Sequence, residues 1–184
     1  MSRSIYVHPW RIDVTVRDGV QVPVSGAQLA RTIRSALEAA GAPSPASIGL
    51  ILSDDRELAS LNVEHLGHRG PTDVLSFPLL SPDAFPAHEG LSSGVAPGSR
   101  SVAPPFPLPP GRRQHLGDIV VSVERAIEQA EAGRGGHTGN VRWSSADELR
   151  LLVTHGTLHV CGWDHAVPAE EAAMRALEAR LVAG

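Results

Sequence analysis

The alternation of apolar and polar positions predicts short strands separated by helices. Residues 5–16 alternate in part, which is typical of a half-buried strand. Residues 48–52, 74–79 and 119–123 are apolar runs that are too short for ordinary helices, and each predicts a further strand. The pattern therefore predicts a sheet of about four strands.

Apolar positions that recur every three or four residues predict helices between these strands. Ser25 is expected to cap a helix that runs to about Ala40, and Asp54 to cap a second helix that ends near Gly67. A third helix follows the strand at 119–123 and stops at Gly133. Glycine commonly ends helices, and each of these predicted helices stops at a glycine or at the residue before one.

The last forty residues predict a buried helix followed by an amphipathic one. Ser145 and Glu148 have the spacing of a capping box, and the helix after them is apolar on nearly all sides, as a buried central helix would be. Pro168 marks the start of the last helix. With 184 residues, the chain is expected to form one domain, 1–184. The predicted fold class is α/β (α+β), a small mixed sheet of about four strands packed with about five helices.

Residues 81–115 interrupt this pattern. They contain eight of the fifteen prolines together with several Gly and Ser, and such a composition cannot bury enough apolar surface to order a core. We interpret the stretch as a flexible insertion between two strands. Its run at 104–110 favours a polyproline II helix, so a ligand for an SH3-type domain is the alternative to a tolerated surface insertion.

Composition and charge narrow the possible functions. The net charge of −4 argues against a nucleic-acid-binding surface over the whole chain but leaves room for a local arginine cluster. The single cysteine excludes a disulfide framework, and the absence of lysine excludes Schiff-base and P-loop chemistry. The sequence contains neither a signal-peptide run at its start nor a membrane-length apolar stretch, which predicts a cytoplasmic protein without a membrane partner.

Three histidines have the spacing of a metal site. His155 and His159 are one helical turn apart, so both rings lie on the same face of the predicted helix. Gly162 can end that helix and let the chain turn back to bring His165 to the same place. Three imidazoles around one Zn²⁺ leave a fourth position for water, which is the pattern of a catalytic site. We predict one zinc per chain, although the same ligands would also bind Ni²⁺ or Cu²⁺.

The residue after the first histidine argues against a protease. The spacing matches the His-x-x-x-His-x-x-Gly-x-x-His arrangement of metzincin proteases, in which a glutamate at this position is the general base. Here the position is Gly156. A glycine inside a helix costs about 1 kcal/mol relative to alanine. It is therefore expected to serve either close packing or an open approach to the metal.

Three motifs in order resemble the YbeY family of bacterial rRNA-maturation endoribonucleases. They are PTDVLSFP at 71–78, LGDI at 116–119 and HGTLHVCGWDH at 155–165. The resemblance implies an α/β domain, a zinc held by the three histidines, and cleavage of single-stranded RNA. It also implies a role in 16S rRNA 3′-end maturation and ribosome quality control. The expected partners are precursor 16S rRNA and the ribosome or its small subunit, and DNA is not expected.

One position departs from the pattern of that family. The family has an arginine tied to catalysis six residues before the threonine of the strand motif, and this chain has Leu66 there. Arg69, three residues further along, is the candidate replacement. Asp73 is the second candidate catalytic residue, and the family match also points to Thr72 and Ser76 as residues of the cleft.

Several neighbouring residues have two interpretations each. Asp118 and Asp164 are candidates to hold the second ring nitrogens of the metal ligands, with capping or turn roles as the alternative. Trp163 either stacks on a base or packs over the site, and Cys161 is expected in the core. His68 is either an acid or base, or a histidine of an exposed loop.

Because lysine is absent, the cation that meets RNA phosphate has to be arginine, the metal or a protonated histidine. Arg69, Arg112 and Arg113 are the candidates, and a solvated linker is the alternative for the last two. Two other functions stay open at this point. One is a different zinc hydrolase, such as a peptidase, and the other is a ribosome-assembly factor whose zinc is mainly structural.

Overall fold

A mixed five-stranded sheet lies at the centre of the computed structural model, which describes residues 1–67, 70, 72–88, 113–133, 143–165 and 167–183. The strand order is β1-β2-β3-β5-β4, in which β2, β3 and β5 are parallel and the two edge strands run antiparallel to their neighbours. The strands are β1 Ser2–Val7, β2 Trp10–Val16, β3 Ala46–Ser53, β4 Val74–Pro78 and β5 Gln114–Ser122.

The sheet has five strands because residues 5–16 form a hairpin and not one strand. The chain turns at His8 and Pro9, and Val7 pairs with Trp10. Apolar residues occupy odd-numbered positions before this turn and even-numbered positions after it. As a result, Ile5 lies opposite Ile12 across the hairpin. That change of phase is the sequence signal of the turn, and the prediction of about four strands overlooked it.

The described residues form five α-helices, the number predicted, and the fold class is confirmed. They are α1 Gly26–Ala39, α2 Asp55–Leu66, α3 Val123–Glu131, α4 Ser145–Val160 and α5 Pro168–Ala183. The Ser25 side chain accepts a hydrogen bond from the backbone of Gln28, and the Asp54 side chain accepts one from Glu57, so both predicted caps are confirmed.

The cap of α4 differs from the prediction by one residue. Ser144 accepts from the backbone N–H of Asp147, and the Asp147 carboxylate accepts from the backbone N–H of Ser144. Ser145 is already helical, and Glu148 is buried. The pairs Ser144–Asp147 and Ser145–Glu148 have the same spacing. The first pair forms the cap because Asp147 faces solvent, whereas Glu148 packs inward.

Helix α4 is the buried central helix that carries the histidine motif, as predicted. It packs against β4 and β5 on one side and against α1, α3 and α5 on the others. A Cβ atom added at Gly156 would lie only 2.6 Å from Cγ2 of Ile119 and 3.0 Å from Cγ2 of Val74. Of the two roles considered for Gly156, the structure therefore supports close packing against the sheet.

The ends of the predicted insertion are ordered parts of the fold. Residues Pro82–Ala84 form one turn of 3-10 helix, and the Phe85 side chain is buried. Strand β5 begins at Gln114. Its first residues are polar and pair with β3, so no apolar run in the sequence indicates this part of the strand. Residues 89–112, including the predicted polyproline run, lie outside the described residues. In the described ranges, no helix combines the length and apolar character needed to cross a membrane.

Candidate metal centre

The structure brings the three predicted histidines together. One ring nitrogen each of His155, His159 and His165 lies within 4.8 Å of the others. The Nε2 atoms of His155 and His159 are 3.1 Å apart, because one turn of α4 separates the two residues. In a tetrahedral site with zinc–nitrogen bonds of 2.0–2.1 Å, ligand atoms are about 3.4 Å apart. The spacing of the two Nε2 atoms therefore suits one shared metal ion.

The end of α4 places the third histidine. Gly162 adopts a φ of +83°, which an L-residue with a side chain rarely adopts, and an added Cβ would lie 3.2 Å from Cα of Pro82. The backbone N–H of Trp163 donates to the carbonyl of Leu158, which closes the turn. As a result, the His165 ring lies with its centre 5.0 Å from that of His159.

Burial keeps the central histidine of the cluster neutral. Burial, together with charge repulsion from the neighbouring His155 and His165, lowers the pKa of His159 to about 4. A hydrogen bond with the backbone of Trp163 acts in the opposite direction. A neutral imidazole offers a lone pair, which is the form that binds metal. The three rings can thus hold a metal ion, and their all-nitrogen donor set fits a divalent transition metal.

A carboxylate that the sequence analysis missed lies behind His155. Oε1 of Glu178 is 2.7 Å from Nδ1 of His155, and the Glu178 side chain is only 9% exposed. Met174 and Val182, four residues before and after Glu178 on α5, are both buried. A glutamate in the apolar stripe of an amphipathic helix was the available sequence signal.

The two aspartates predicted for this supporting role have other partners. The Asp118 carboxylate lies 3.1 Å from Nε2 of His115, a histidine outside the cluster. The Asp164 carboxylate accepts from the backbone N–H of His165 at 2.7 Å, which is the turn role given as the alternative. Among the described residues, Glu178 of α5 is the carboxylate that holds a second ring nitrogen, Nδ1 of His155, and Asp164 has the turn role.

A cavity of about 320 Å³ opens beside the cluster. His155 and His165 line one part of it, and Asp73, Gln129 and Arg175 line others. Four carboxylates contribute to the lining, and Arg175 is the one arginine among the described lining residues. The cavity joins two of the predicted metal ligands, His155 and His165, to part of the predicted strand motif.

Of the three cleft candidates in the strand motif, Asp73 lines the cavity. One of its oxygens accepts from the side chain of Gln129 at 3.0 Å, and the other accepts from the backbone of Val74 at 2.9 Å. Thr72 donates to the Val74 carbonyl, and Ser76 donates to the Gly156 carbonyl at 3.1 Å. The hydroxyls of Thr72 and Ser76 therefore bind backbone, and the Ser76 bond ties β4 to α4.

Of the remaining candidates, the structure describes Arg113. The others lie outside the described residues: Arg69, Arg112 and His68. Arg113 is described, and its guanidinium donates to the carbonyl of Pro9 at 2.7 Å, so it supports the turn between β1 and β2. The ordered contact replaces the solvated-linker interpretation of Arg113.

Trp163 and Cys161 have structural roles. The indole of Trp163 stacks on the His88 ring with a centroid distance of 3.9 Å, so a protein ring covers one of its faces. Cys161 is buried, as predicted, and burial raises the pKa of its thiol to about 12. A thiol that stays protonated at neutral pH does not compete with the histidines for metal.

Comparison with known proteins identifies relatives along most of the chain. A family model described as Endoribonuclease YbeY matches residues 16–184. Endoribonuclease YbeY of Thermobifida fusca is 39% identical over 173 residues, which cover 94% of this chain and 92% of the relative. Endoribonuclease YbeY of Salinispora tropica is 41% identical over 150 residues, or 82% and 81% of the two chains. A solution structure from Thermotoga maritima covers 92% of this chain and 86% of its own, with 21% identity and a TM-score of 0.48.

Proposed function

The chain belongs to the endoribonuclease YbeY family, and on that premise we propose that it is a metal-dependent endoribonuclease that cleaves single-stranded RNA. The observation that carries the proposal is the convergence of three histidines, two of which line a cavity. We assign His155, His159 and His165 as ligands of one Zn²⁺ per chain. Zinc is chosen over other ions because three neutral imidazoles with an open fourth position are the usual ligands of catalytic zinc.

The chemistry of the proposal depends on the metal and on the residues around it. Bound Zn²⁺ lowers the pKa of a coordinated water towards 7 and polarises a phosphoryl oxygen. The neutral state of His159 leaves its lone pair free for a ligand bond at physiological pH. Asp73 is the proposed proton acceptor, because its carboxylate lines the same cavity as His155 and His165 and is held in place by Gln129.

Recognition of the RNA backbone needs cations at the cavity. Its four carboxylates repel phosphate, so we propose that Arg175 and the metal together supply the local positive charge. Arg175 is half-exposed and paired with Glu171 on the preceding turn of α5, an ion pair that a phosphate can replace because it is open to solvent. Arg69 stays the proposed substitute for the arginine of the family on the basis of its position in the sequence.

The cellular role follows from the family resemblance. We propose maturation of the 16S rRNA 3′ end and ribosome quality control in the cytoplasm, with the small ribosomal subunit as partner and no action on DNA. A peptidase is disfavoured because the position of the usual base is Gly156, which packs against the sheet. A purely structural zinc is disfavoured because His165 is exposed and faces a cavity.

The test compares the full chain with its His159→Ala variant on a single-stranded RNA. Zinc content is measured in both proteins by mass spectrometry, and duplex RNA of the same sequence is the substrate control. We expect about one zinc per wild-type chain, cleavage of the single strand only, and loss of both metal and cleavage in the variant. If metal-loaded wild type cuts no faster than the variant, the nuclease assignment is wrong.

A further inference from the structure

The C-terminal helix contributes a buried carboxylate to the back of the histidine cluster. Glu178 lies between the buried residues Met174 and Val182 on the inward face of α5. A carboxylate at such a position loses most of its hydration and needs a hydrogen-bond donor in return. The ring of His155 is such a donor, with its Nδ1 2.7 Å from Oε1 of Glu178.

This hydrogen bond determines which nitrogen of His155 is available. A carboxylate only accepts hydrogen bonds, so Nδ1 of His155 carries the hydrogen. Nε2 is then the nitrogen with a free lone pair, and it is also the atom that lies 3.1 Å from Nε2 of His159. The contact with Glu178 therefore turns His155 so that its free lone pair points into the cluster.

Helix α5 is connected to the cluster at two places. His165 lies three residues before Pro168, the first residue of α5, so the third histidine is part of the connection that leads into the helix. Glu178 returns to the cluster almost three turns later. Displacement of α5 would consequently disturb two of the three histidines at once.

We propose that Glu178 is a positioning residue that holds His155 in its Nδ1–H tautomer and so makes docking of α5 a condition of tight metal binding. The inference rests on the proposed function only in requiring that the three histidines hold a metal. Because coupling between two binding events is reciprocal, metal binding must also tighten the docking of α5.

Two substitutions of Glu178 separate positioning from simple charge. Glu178→Gln removes the charge but keeps the length and an oxygen that accepts from Nδ1. Glu178→Asp keeps the charge but is one methylene too short to reach the ring in the same pose. Positioning predicts tighter metal binding by the Gln variant, whereas a long-range charge effect predicts tighter binding by the Asp variant.

Glu171→Gln is the matched control. Glu171 lies on the same helix and lines the same cavity, and its carboxylate pairs with Arg175. Removing its charge changes the electrostatic field near the cluster without touching the Glu178–His155 hydrogen bond. Any loss of affinity common to Glu171→Gln and Glu178→Gln measures that field alone.

The experiment measures zinc affinity of the full chain and its variants by competition with a chromophoric chelator. Loss of an outer hydrogen bond to a metal-binding histidine typically weakens metal binding by about 10–100-fold, and we expect this for Glu178→Asp. We expect Glu178→Gln to remain within about tenfold of wild type and Glu171→Gln within about threefold. Long-range ¹H–¹⁵N spectra of the metal-free proteins should show Nδ1-protonated His155 in wild type and Glu178→Gln, and a mixture of tautomers in Glu178→Asp.

Amide hydrogen exchange provides the second readout. Zinc should slow exchange in α5 of the wild type and have a much smaller effect in Glu178→Asp. Equal zinc affinity of wild type and Glu178→Asp, or tighter binding by Asp than by Gln, would overturn the positioning role and leave the metal centre intact. A wild-type chain that binds no zinc would instead overturn the proposed function, and this inference with it.

Discussion

Substitution of Gly156 by alanine has two opposing effects on the stability of the folded chain, one from helix propensity and one from tertiary packing. Alanine in place of glycine inside a helix is intrinsically favourable by about 1 kcal/mol. At this position, however, the new Cβ would lie 2.6 Å from Cγ2 of Ile119 and 3.0 Å from Cγ2 of Val74. Both methyls belong to β-branched side chains of strands, which rotate only by leaving a strongly preferred rotamer.

The magnitude follows from these two opposing contributions. Overpacking of a filled core costs about 1–3 kcal/mol, and two stiff neighbours place Gly156→Ala in the upper part of that range. After the gain in helix propensity, we expect a net loss of about 1–2 kcal/mol in the free energy of unfolding. Relief of the clash would move α4 away from the sheet, so zinc affinity should fall as well, since His155 and His159 lie on that helix.

Urea unfolding of the metal-free proteins measures the first effect. Gly26→Ala is the control, because Gly26 is also helical but its added Cβ would lie 3.5 Å from Ile5, an ordinary contact. The control should match wild type or unfold at slightly higher urea, whereas Gly156→Ala should unfold at lower urea with an unchanged slope. A Gly156→Ala protein as stable as wild type would refute the packing argument.

Two further outcomes follow from charge. Arg175→Gln should weaken binding of single-stranded RNA and reduce the slope of log affinity against log salt by about 0.7, the value for one phosphate contact. Arg34→Gln, which removes an exposed arginine paired with Glu38 on α1, is its control, and an unchanged slope in Arg175→Gln would exclude the contact. The pKa of His159 is lowered to about 4 in the folded chain. As pH falls, the unfolded chain therefore protonates His159 at a higher pH than the folded chain does. The metal-free protein should therefore lose stability from about pH 6.5 down to pH 4, and His159→Gln should reduce that dependence in urea titrations at several pH values.

The features that could be predicted from the sequence are local ones. The caps at Ser25 and Asp54 depend on contacts within three residues, and the shared face of His155 and His159 depends on one helical turn. Such relations are set by backbone periodicity and need no knowledge of the fold. The family resemblance rests on the same kind of information, three short motifs in a fixed order.

The errors at the level of elements also have local causes. The hairpin at His8 and Pro9 was overlooked because a partial alternation continues on both sides of the turn and only its phase changes. The predicted cap of α4, Ser145, is one residue too late. Ser144 and Asp147 have the same capping-box spacing as Ser145 and Glu148, so spacing alone does not distinguish the two pairs. In both cases the local pattern allowed two solutions, and the burial of neighbouring side chains selected one.

The support of the candidate metal site depends on contacts between distant parts of the chain. Glu178 lies 23 residues from His155, and Asp73 meets Gln129 across 56 residues. The role of Gly156 is equally non-local, since β4 and β5 supply the atoms that leave no room for a side chain. The side chains that can bind a metal could be identified before any fold was known, because ligand type and helical spacing are properties of a short segment. The carboxylate that orients them and the residues that share their cavity could not, because those contacts form when separate elements pack into one core.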